Sequence, residues 1–306
     1  MAAANVYGGD GLDRLVERRR DTAWWERALK DEATRFIVGW RDRFPVVDTP
    51  EGPRLAPFAE RDLATLVTGE PVLLGAVEEA LHVAIDAGDT EEDAITAALP
   101  AGARLADLRE VGSLLPGAEA AMAASHRGVL LWHGVQRHCG RCGAPTMVGE
   151  AGHVLTCTNH ACGSIHHPRI DPAVITLVAS PDGERVLLGR NRRRPGAIYT
   201  CFAGFVEAGE SLEGAVTREV FEEVGVRLSD VRYHSSQPWP FPAQLMLGFL
   251  GTATALEIRL DDEEIADARW FTRDELRHLP PDGSVQLPRA DAVARRMVDA
   301  WIEGEL

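Results

Sequence analysis

Glu219, Glu222 and Glu223 stand within five positions of one another in the stretch GFVEAGESLEGAVTREVFEEVGV, residues 204–226. The same stretch carries Leu212, Val216, Val220 and Val224 at four-residue spacing, the stripe of an amphipathic helix. Ser211 suits an N-cap, Glu213 suits the positive end of the dipole, and Gly225 suits a left-handed residue past the last turn, so a helix is predicted over 212–224. Positions three and four apart share a helix face, which crowds the three carboxylates on one side. Arg218 can pair with Glu222 across one turn, but one arginine does not balance the set. A solvated face would leave the repulsion in place. A hard divalent cation, Mg²⁺ or Mn²⁺, would relieve it, because both ions take oxygen ligands.

A second set of donors is sulfur. Cys139, Cys142, Cys157 and Cys162 follow the pattern C-x2-C-x14-C-x4-C. Paired cysteines at this separation are the signature of a zinc ribbon, in which two knuckles give four thiolates to a tetrahedral Zn²⁺. Gly140 and Gly143 permit the tight first knuckle. The second knuckle is wider, and His160 lies three residues after Cys157, so it stands as an alternative to Cys162. Four protein ligands make a closed, structural site with no place for an activated water. The fifth cysteine, Cys201, sits alone in an apolar stretch and reads as a small core residue.

These donors need elements to position them. At 306 residues the chain can hold roughly two domains with their own cores. Its formal net charge of −15 argues against broad electrostatic binding to nucleic acid. No apolar run approaches the roughly 18 residues of a membrane span, and MAAANVYGGDGLDR has neither a basic n-region nor an apolar h-region. A cytoplasmic protein is expected. Residues 13–30 read as a helix, TRFIVGW, PVLLGAV and ALHVAI as strands, and 117–137 as an alanine-rich helix leading into the cysteines; Trp24, Trp25 and Trp40 read as packing residues. After the ribbon, IDPAVITLVAS and RVLLGR read as strands around a PDG turn, followed by strands at 231–234 and 245–254 and helices around 273–278 and 290–302. In SQPWPFPAQLM, residues 236–246, three prolines in five positions exclude a helix and sit poorly in a central strand. They make either a structural corner or a stiff loop that offers Trp239 and Phe241 to a flat base.

The glutamate segment resembles the Nudix box: Gly, five residues, Glu, seven residues, then Arg-Glu-aliphatic-any-Glu-Glu-any-Gly-aliphatic. Gly204, Glu210, Arg218, Glu219, Val220, Glu222, Glu223, Gly225 and Val226 fill every fixed position. Gln237, Pro238, Trp239, Pro240, Phe241 and Pro242, followed by Ala243 and Gln244, resemble the downstream motif of the NADH pyrophosphatases, a Nudix subfamily that also carries a four-cysteine zinc ribbon and a separate N-terminal domain. The resemblance implies an α+β chain: a mixed N-terminal domain over 1–126, a zinc ribbon over 127–168, and a Nudix α/β/α sandwich over 169–306. It implies Mg²⁺ or Mn²⁺ held by Glu219, Glu223, the Ala203 carbonyl and a late glutamate. That glutamate matches Glu264 best, with Glu263 the near alternative. Glu222 is close by, and Gly204, Glu210 and Arg218 order the loop and helix.

The same resemblance implies hydrolysis of NADH or NAD⁺ to NMN(H) and AMP by a homodimer, and raises removal of NAD caps from RNA. It places substrate against Phe205, against the residues 237–244 and against Ala294. Two positions depart from the pattern. Gln244 stands where the family has serine, and His167, in His166-His167-Pro168, stands where it has a tyrosine that the partner subunit contributes to the nicotinamide sandwich. Substrate preference is therefore left open, with ADP-ribose and dinucleoside polyphosphates as alternatives. A non-enzymatic zinc-ribbon module that binds RNA is a further alternative, against which the complete box speaks.

Overall fold

The computed structural model describes residues 5–9, 11–193, 196–260 and 263–306. The first four residues of the stretch read for a targeting signal lie outside the described residues. Two compact units result: Met1–Ile170 with Trp239–Ala243, and Asp171–Pro238 with Gln244–Leu306. No helix among the described residues is long and apolar enough to cross a membrane.

The first unit begins with a single 3-10 turn, Val16–Arg18, and helix α1 (Thr22–Ala28), where one continuous helix is expected from the sequence. The break has a local cause. Leu15 is left-handed, and the Asp21 carboxylate accepts the Trp24 amide at 2.9 Å, which starts a new helix. Strands β1 (Arg35–Gly39), β2 (Arg43–Thr49), β3 (Gly52–Leu55), β4 (Val72–Val77), β5 (Ala80–Asp86) and β6 (Ala103–Asp107) form two three-stranded sheets, in the orders β1-β5-β4 and β3-β2-β6. Short helices α2 (Glu92–Ala98) and α3 (Leu108–Val111) flank β6.

Helix α4 (Gly117–Val135) buries Ala120, Ala121, Met122, Ala123 and Ala124. Its small residues let the helix approach closely, and the His126 Nε2 reaches the Ile85 carbonyl at 3.0 Å. A Cβ at Gly39 would fall 2.3 Å from the His126 ring, so this approach requires glycine. The ribbon follows as a third three-stranded sheet, β7 (Thr146–Gly149), β8 (Val154–Cys157) and β9 (Ile165–His166).

The second unit is built on a six-stranded mixed sheet: β10 (Asp171–Ala179), β11 (Arg185–Asn191), β12 (Phe202–Phe205), β13 (Leu228–Trp239), β14 (Gln244–Ala253) and β15 (Ile265–Thr272). The order is β13-β14-β10-β11-β15, with β12 also paired to β10. Alternation along β10 assigns its two faces. Val174 and Val178 pack toward α5 (Leu212–Val224), whereas Ile175 and Leu177 pack toward α7 (Val293–Glu303). Helices therefore cover both faces, the expected α/β/α sandwich, with α6 (Arg273–Arg277) beside β15. β13 is an edge strand, which is how Pro238 is tolerated near its end.

Candidate active site and cysteine centre

The catalytic candidates converge where β12 meets α5. Helix α5 spans the residues that the apolar spacing predicts. Ser211 Oγ accepts the Gly214 amide at 3.1 Å, and Gly225 closes the helix with φ 69°. Its apolar side, Ala215, Val216, Val220 and Val224, is buried on the sheet. The glutamates grade outward from there: Glu223 is 6% exposed, Glu219 is half-buried and Glu222 is exposed.

Arg218 is the hub of the box. Its Nε and Nη2 grip both carboxylate oxygens of Glu210 at 2.8 Å each. Nη1 donates to Glu219 at 2.8 Å and to Glu222 at 3.0 Å, and Nη2 also donates to the Phe205 carbonyl at 2.9 Å. One guanidinium therefore ties the loop, β12 and two of the helix carboxylates together, more than the single Arg218–Glu222 pair expected from spacing. The Arg218 bond to Glu210 is the main cause of a Glu210 carboxyl lowered to about 2, and the same bonds raise the arginine. Glu219 is raised instead. Burial is the largest cause, Arg218 opposes it, and the negative charges of Glu222 and Glu264 add to it.

Gly204 shows why the box opens on glycine. A Cβ there would fall 1.9 Å from the Glu219 carboxyl carbon and 2.0 Å from its Oε1. The Glu219 carboxylate thus lies directly on the backbone of β12, whose Ala203 pairs with Ile175 and whose Gly204 pairs with Val174. This cradle and its all-oxygen donor set, Glu219, Glu223 and the Ala203 carbonyl, suit a hard divalent ion. Glu264 precedes β15, and its Oε1 accepts from Asn191 Nδ2 at 3.2 Å. The Asn191 bond and the Phe205 carbonyl bond were not anticipated from sequence. A backbone acceptor has no side-chain signature, and the asparagine lies 73 positions from its partner.

The cysteine centre is the one cluster of three or more His, Cys, Asp or Glu ligand atoms among the described residues that is gathered closely enough to hold an ion. The Sγ atoms of Cys139, Cys142, Cys157 and Cys162 lie within 4.8 Å of one another. Cys142–Cys157 is 3.4 Å and Cys139–Cys162 is 3.9 Å. A tetrahedral ion with bonds of about 2.3 Å to sulfur needs edges of about 3.8 Å, so the quartet fits. The Cys139 thiol is lowered to about 5, first by the Arg141 amide, which favours the thiolate. His160 is exposed and outside this quartet, so Cys162 is the fourth member. Cys201 is buried in apolar surroundings that push its thiol up to about 12.

The remaining sequence-selected residues are dispersed. Phe205 is 53% exposed at the end of β12. Gln237 is buried, its Nε2 donating to Asp291 O at 2.7 Å and its Oε1 accepting from the Val293 amide at 2.8 Å, which ties β13 to the start of α7. Ala294 is buried in the same apolar cluster as Cys201. Gln244 opens β14 opposite Asp171. Trp239, Pro240, Phe241, Pro242 and Ala243 belong to the first compact unit. There Trp239 and Phe241 meet edge-on with centroids 5.2 Å apart, and Arg109 lies 4.0 Å over the Phe241 ring. Pro238 closes the second unit's first segment, and His167 is exposed in the first unit.

Comparison with known proteins covers both units. The NUDIX domain family matches residues 169–295, and the NADH pyrophosphatase-like rudimentary NUDIX domain family matches residues 33–132. The NAD-capped RNA hydrolase NudC of Mycobacterium bovis (strain BCG / Pasteur 1173P2) is 40% identical over 307 residues, covering 96% of this chain and 92% of its own. The NAD-capped RNA hydrolase NUDT12 of Macaca fascicularis is 44% identical over 193 residues, and that of Homo sapiens 42%. Each of these two alignments takes in 60% of this chain and 42% of the relative, so the chain spans less than half the length of these relatives.

Proposed function

The chain belongs to the Nudix hydrolases, in the branch with an NADH pyrophosphatase-like N-terminal domain, and on that premise we propose that it hydrolyses the diphosphate bond of NADH or NAD⁺ to NMN(H) and AMP. The same bond at the 5′ end of an NAD-capped RNA is its second substrate. The observation that carries this reading is the Glu219 carboxylate seated on Gly204 beside buried Glu223, with Arg218 bracing the loop.

Glu219, Glu223, the Ala203 carbonyl and Glu264 would hold Mg²⁺ or Mn²⁺. The chemistry such an ion would supply is neutralisation of diphosphate oxygens and a lowered pKa for a water. Arg218 keeps Glu210, Glu219 and Glu222 in one orientation, so the donors are arranged before substrate arrives. A glutamate of the set, or a further bound water, would accept that water's proton. Phe205, exposed beside the box, offers a face to the nicotinamide, with His167 of a second subunit in a homodimer opposite it.

The four cysteines hold one structural Zn²⁺. No two of the five cysteines are joined as a disulfide, which suits a reducing cytoplasmic setting. The net charge of −15 weighs against tight sequence-independent RNA binding and leaves reaction at a capped end as the RNA activity. Turnover of NADH, NAD⁺, ADP-ribose, diadenosine polyphosphates and NAD-capped RNA, each with and without Mn²⁺ and with products resolved by chromatography, tests the proposal. NMN(H) and AMP released only with metal, at the highest kcat/KM of the panel, is the expected result. A preference for ADP-ribose or a dinucleoside polyphosphate would instead assign the Gln244 departure to substrate choice.

A further inference from the structure

We propose that Asn191 is a positioning residue for Glu264, held in place where a register shift puts an extra residue into β15 opposite the end of β11, so that the Glu264 carboxylate is offered to the Glu219–Glu223 cluster. The inference rests on the reading that this cluster holds a divalent cation.

The pairing of β11 with β15 is regular from Arg185↔Thr272 to Arg190↔Asp267, then shifts so that Asn191 faces Ile265. One step along β11 is matched by two along β15. Such a bulge turns the next side chain away from the alternation that the strand would otherwise impose. Here it brings Asn191 beside Glu264, the residue just before β15.

Three bonds define the bracket. Asn191 Oδ1 accepts the Arg193 amide at 2.8 Å, which settles which end of the side-chain amide points back to the backbone. Asn191 Nδ2 then donates to Glu264 Oε1 at 3.2 Å. The Arg192 amide donates to the Glu264 carbonyl at 2.8 Å, so backbone and side chain of Glu264 are both tied to the same turn. Glu264 is otherwise an exposed glutamate outside regular structure. A carboxylate in that setting would sample many rotamers, and each metal-binding event would have to order it. The neutral amide suits the task, because it can hold the carboxylate without cancelling the charge that a cation needs, as an arginine would. Ile265, the next residue after Glu264, is buried in one apolar cluster with Val220 and Val224 of α5, which places the bracketed group beside the helix that carries Glu219 and Glu223.

The turn itself could be the whole role of Asn191, and two substitutions separate the cases. Asn191→Ala removes both bonds. Asn191→Ser keeps a side-chain oxygen that can accept the Arg193 amide but cannot reach Glu264. Mn²⁺ binding is measured by calorimetry on the full zinc-containing chain without substrate, for wild type, both variants, Glu264→Gln, Glu219→Gln and the double variant Asn191→Ser/Glu264→Gln.

Both Asn191 variants are expected to weaken Mn²⁺ binding roughly tenfold, the low end of what outer ligand partners contribute. In turnover, the Mn²⁺ requirement should rise while kcat at saturating metal stays close to wild type. The double variant should bind no more weakly than Glu264→Gln alone, because both changes act through one carboxylate. Wild-type binding by Asn191→Ser, or additive losses in the double variant, would overturn the proposal. Wild-type binding by Glu219→Gln would overturn the underlying reading of the cluster, and the proposal with it.

Discussion

The cysteine quartet and the carboxylates gathered around Arg218 both crowd like donors together, yet they are built in opposite ways. The thiols come from hairpin turns and strand ends of the ribbon, converge to within 4.8 Å, and face one another. Any ion there has its four positions taken by thiolates, although Cys142 is exposed. The carboxylates come from one helix and one loop, differ in exposure from buried Glu223 to exposed Glu222, and are partly neutralised by an arginine. A site that must admit a diphosphate has to stay open, so its donors cannot satisfy each other as four thiols around an ion can. Arg218 supplies the missing compensation. It holds like charges together on one helix face and leaves them reachable from outside.

The contrast predicts that the two centres fail differently. Glu219→Gln should lower turnover by about 10²-fold or more, the scale on which removing one charge-stabilising group acts. Its melting temperature should hold or rise, because a half-buried carboxylate with a raised pKa and acidic neighbours has been made neutral. Melting curves with metal removed, run beside the kinetic assay, check both parts.

Gly204→Ala tests the cradle with every glutamate retained. Its Cβ would lie 1.9 Å from the Glu219 carboxyl carbon, so that carboxylate must swing away. Turnover should fall by roughly 10²-fold, as a misplaced reacting group does, while far-UV circular dichroism is unchanged.

Cys142→Ser should show the reverse pattern. Loss of a structural ligand couples metal release to folding, and a fall in melting temperature of roughly 10 °C is expected. Turnover per folded molecule at low temperature should persist. Elemental analysis should find one zinc per wild-type chain; no zinc, with four reactive thiols, would break the comparison.

The smallest effect concerns pH. The Glu210 carboxyl is lowered to about 2 in the folded chain from an ordinary 4.5. A depressed carboxyl contributes stability that is fully present above about 4.5 and is lost as pH falls through about 2. The melting-temperature gap between wild type and Glu210→Gln should therefore be constant from pH 7 to 5 and narrow below about 4.5. A gap that already closes between pH 7 and 5 would contradict the Arg218 brace.

Much of both centres is legible in the sequence. Helix α5 is read correctly to its ends because cap, stripe and C-terminal glycine agree. The cysteine spacing names three of its quartet because knuckles are local, and leaves Cys162 against His160 to the fold. The first unit was less legible. β2 and β3 carry proline or glycine, and the run expected as one helix from 13 to 30 is cut by a left-handed Leu15 and the Asp21 cap. The proline-rich stretch was ambiguous for a similar reason. Composition announces a stiff aromatic loop but not its neighbours, and Phe241 lies beneath Arg109. The Gly204–Glu219 approach and the Asn191–Glu264 bond depend on strand register and a bulge, which single-sequence patterns do not encode.

The most direct measurement is NADH hydrolysis by wild type and Glu223→Gln at saturating Mn²⁺, with NMNH and AMP resolved and zinc determined on the same samples. Glu223 is the buried carboxylate of the set and lies well apart in sequence from the cysteines. Metal-dependent NMNH and AMP from wild type, near-complete loss of both products in the variant, and one zinc per chain in each is the predicted result. Equal turnover by the two proteins would contradict the assignment of the glutamate centre as the site of diphosphate hydrolysis.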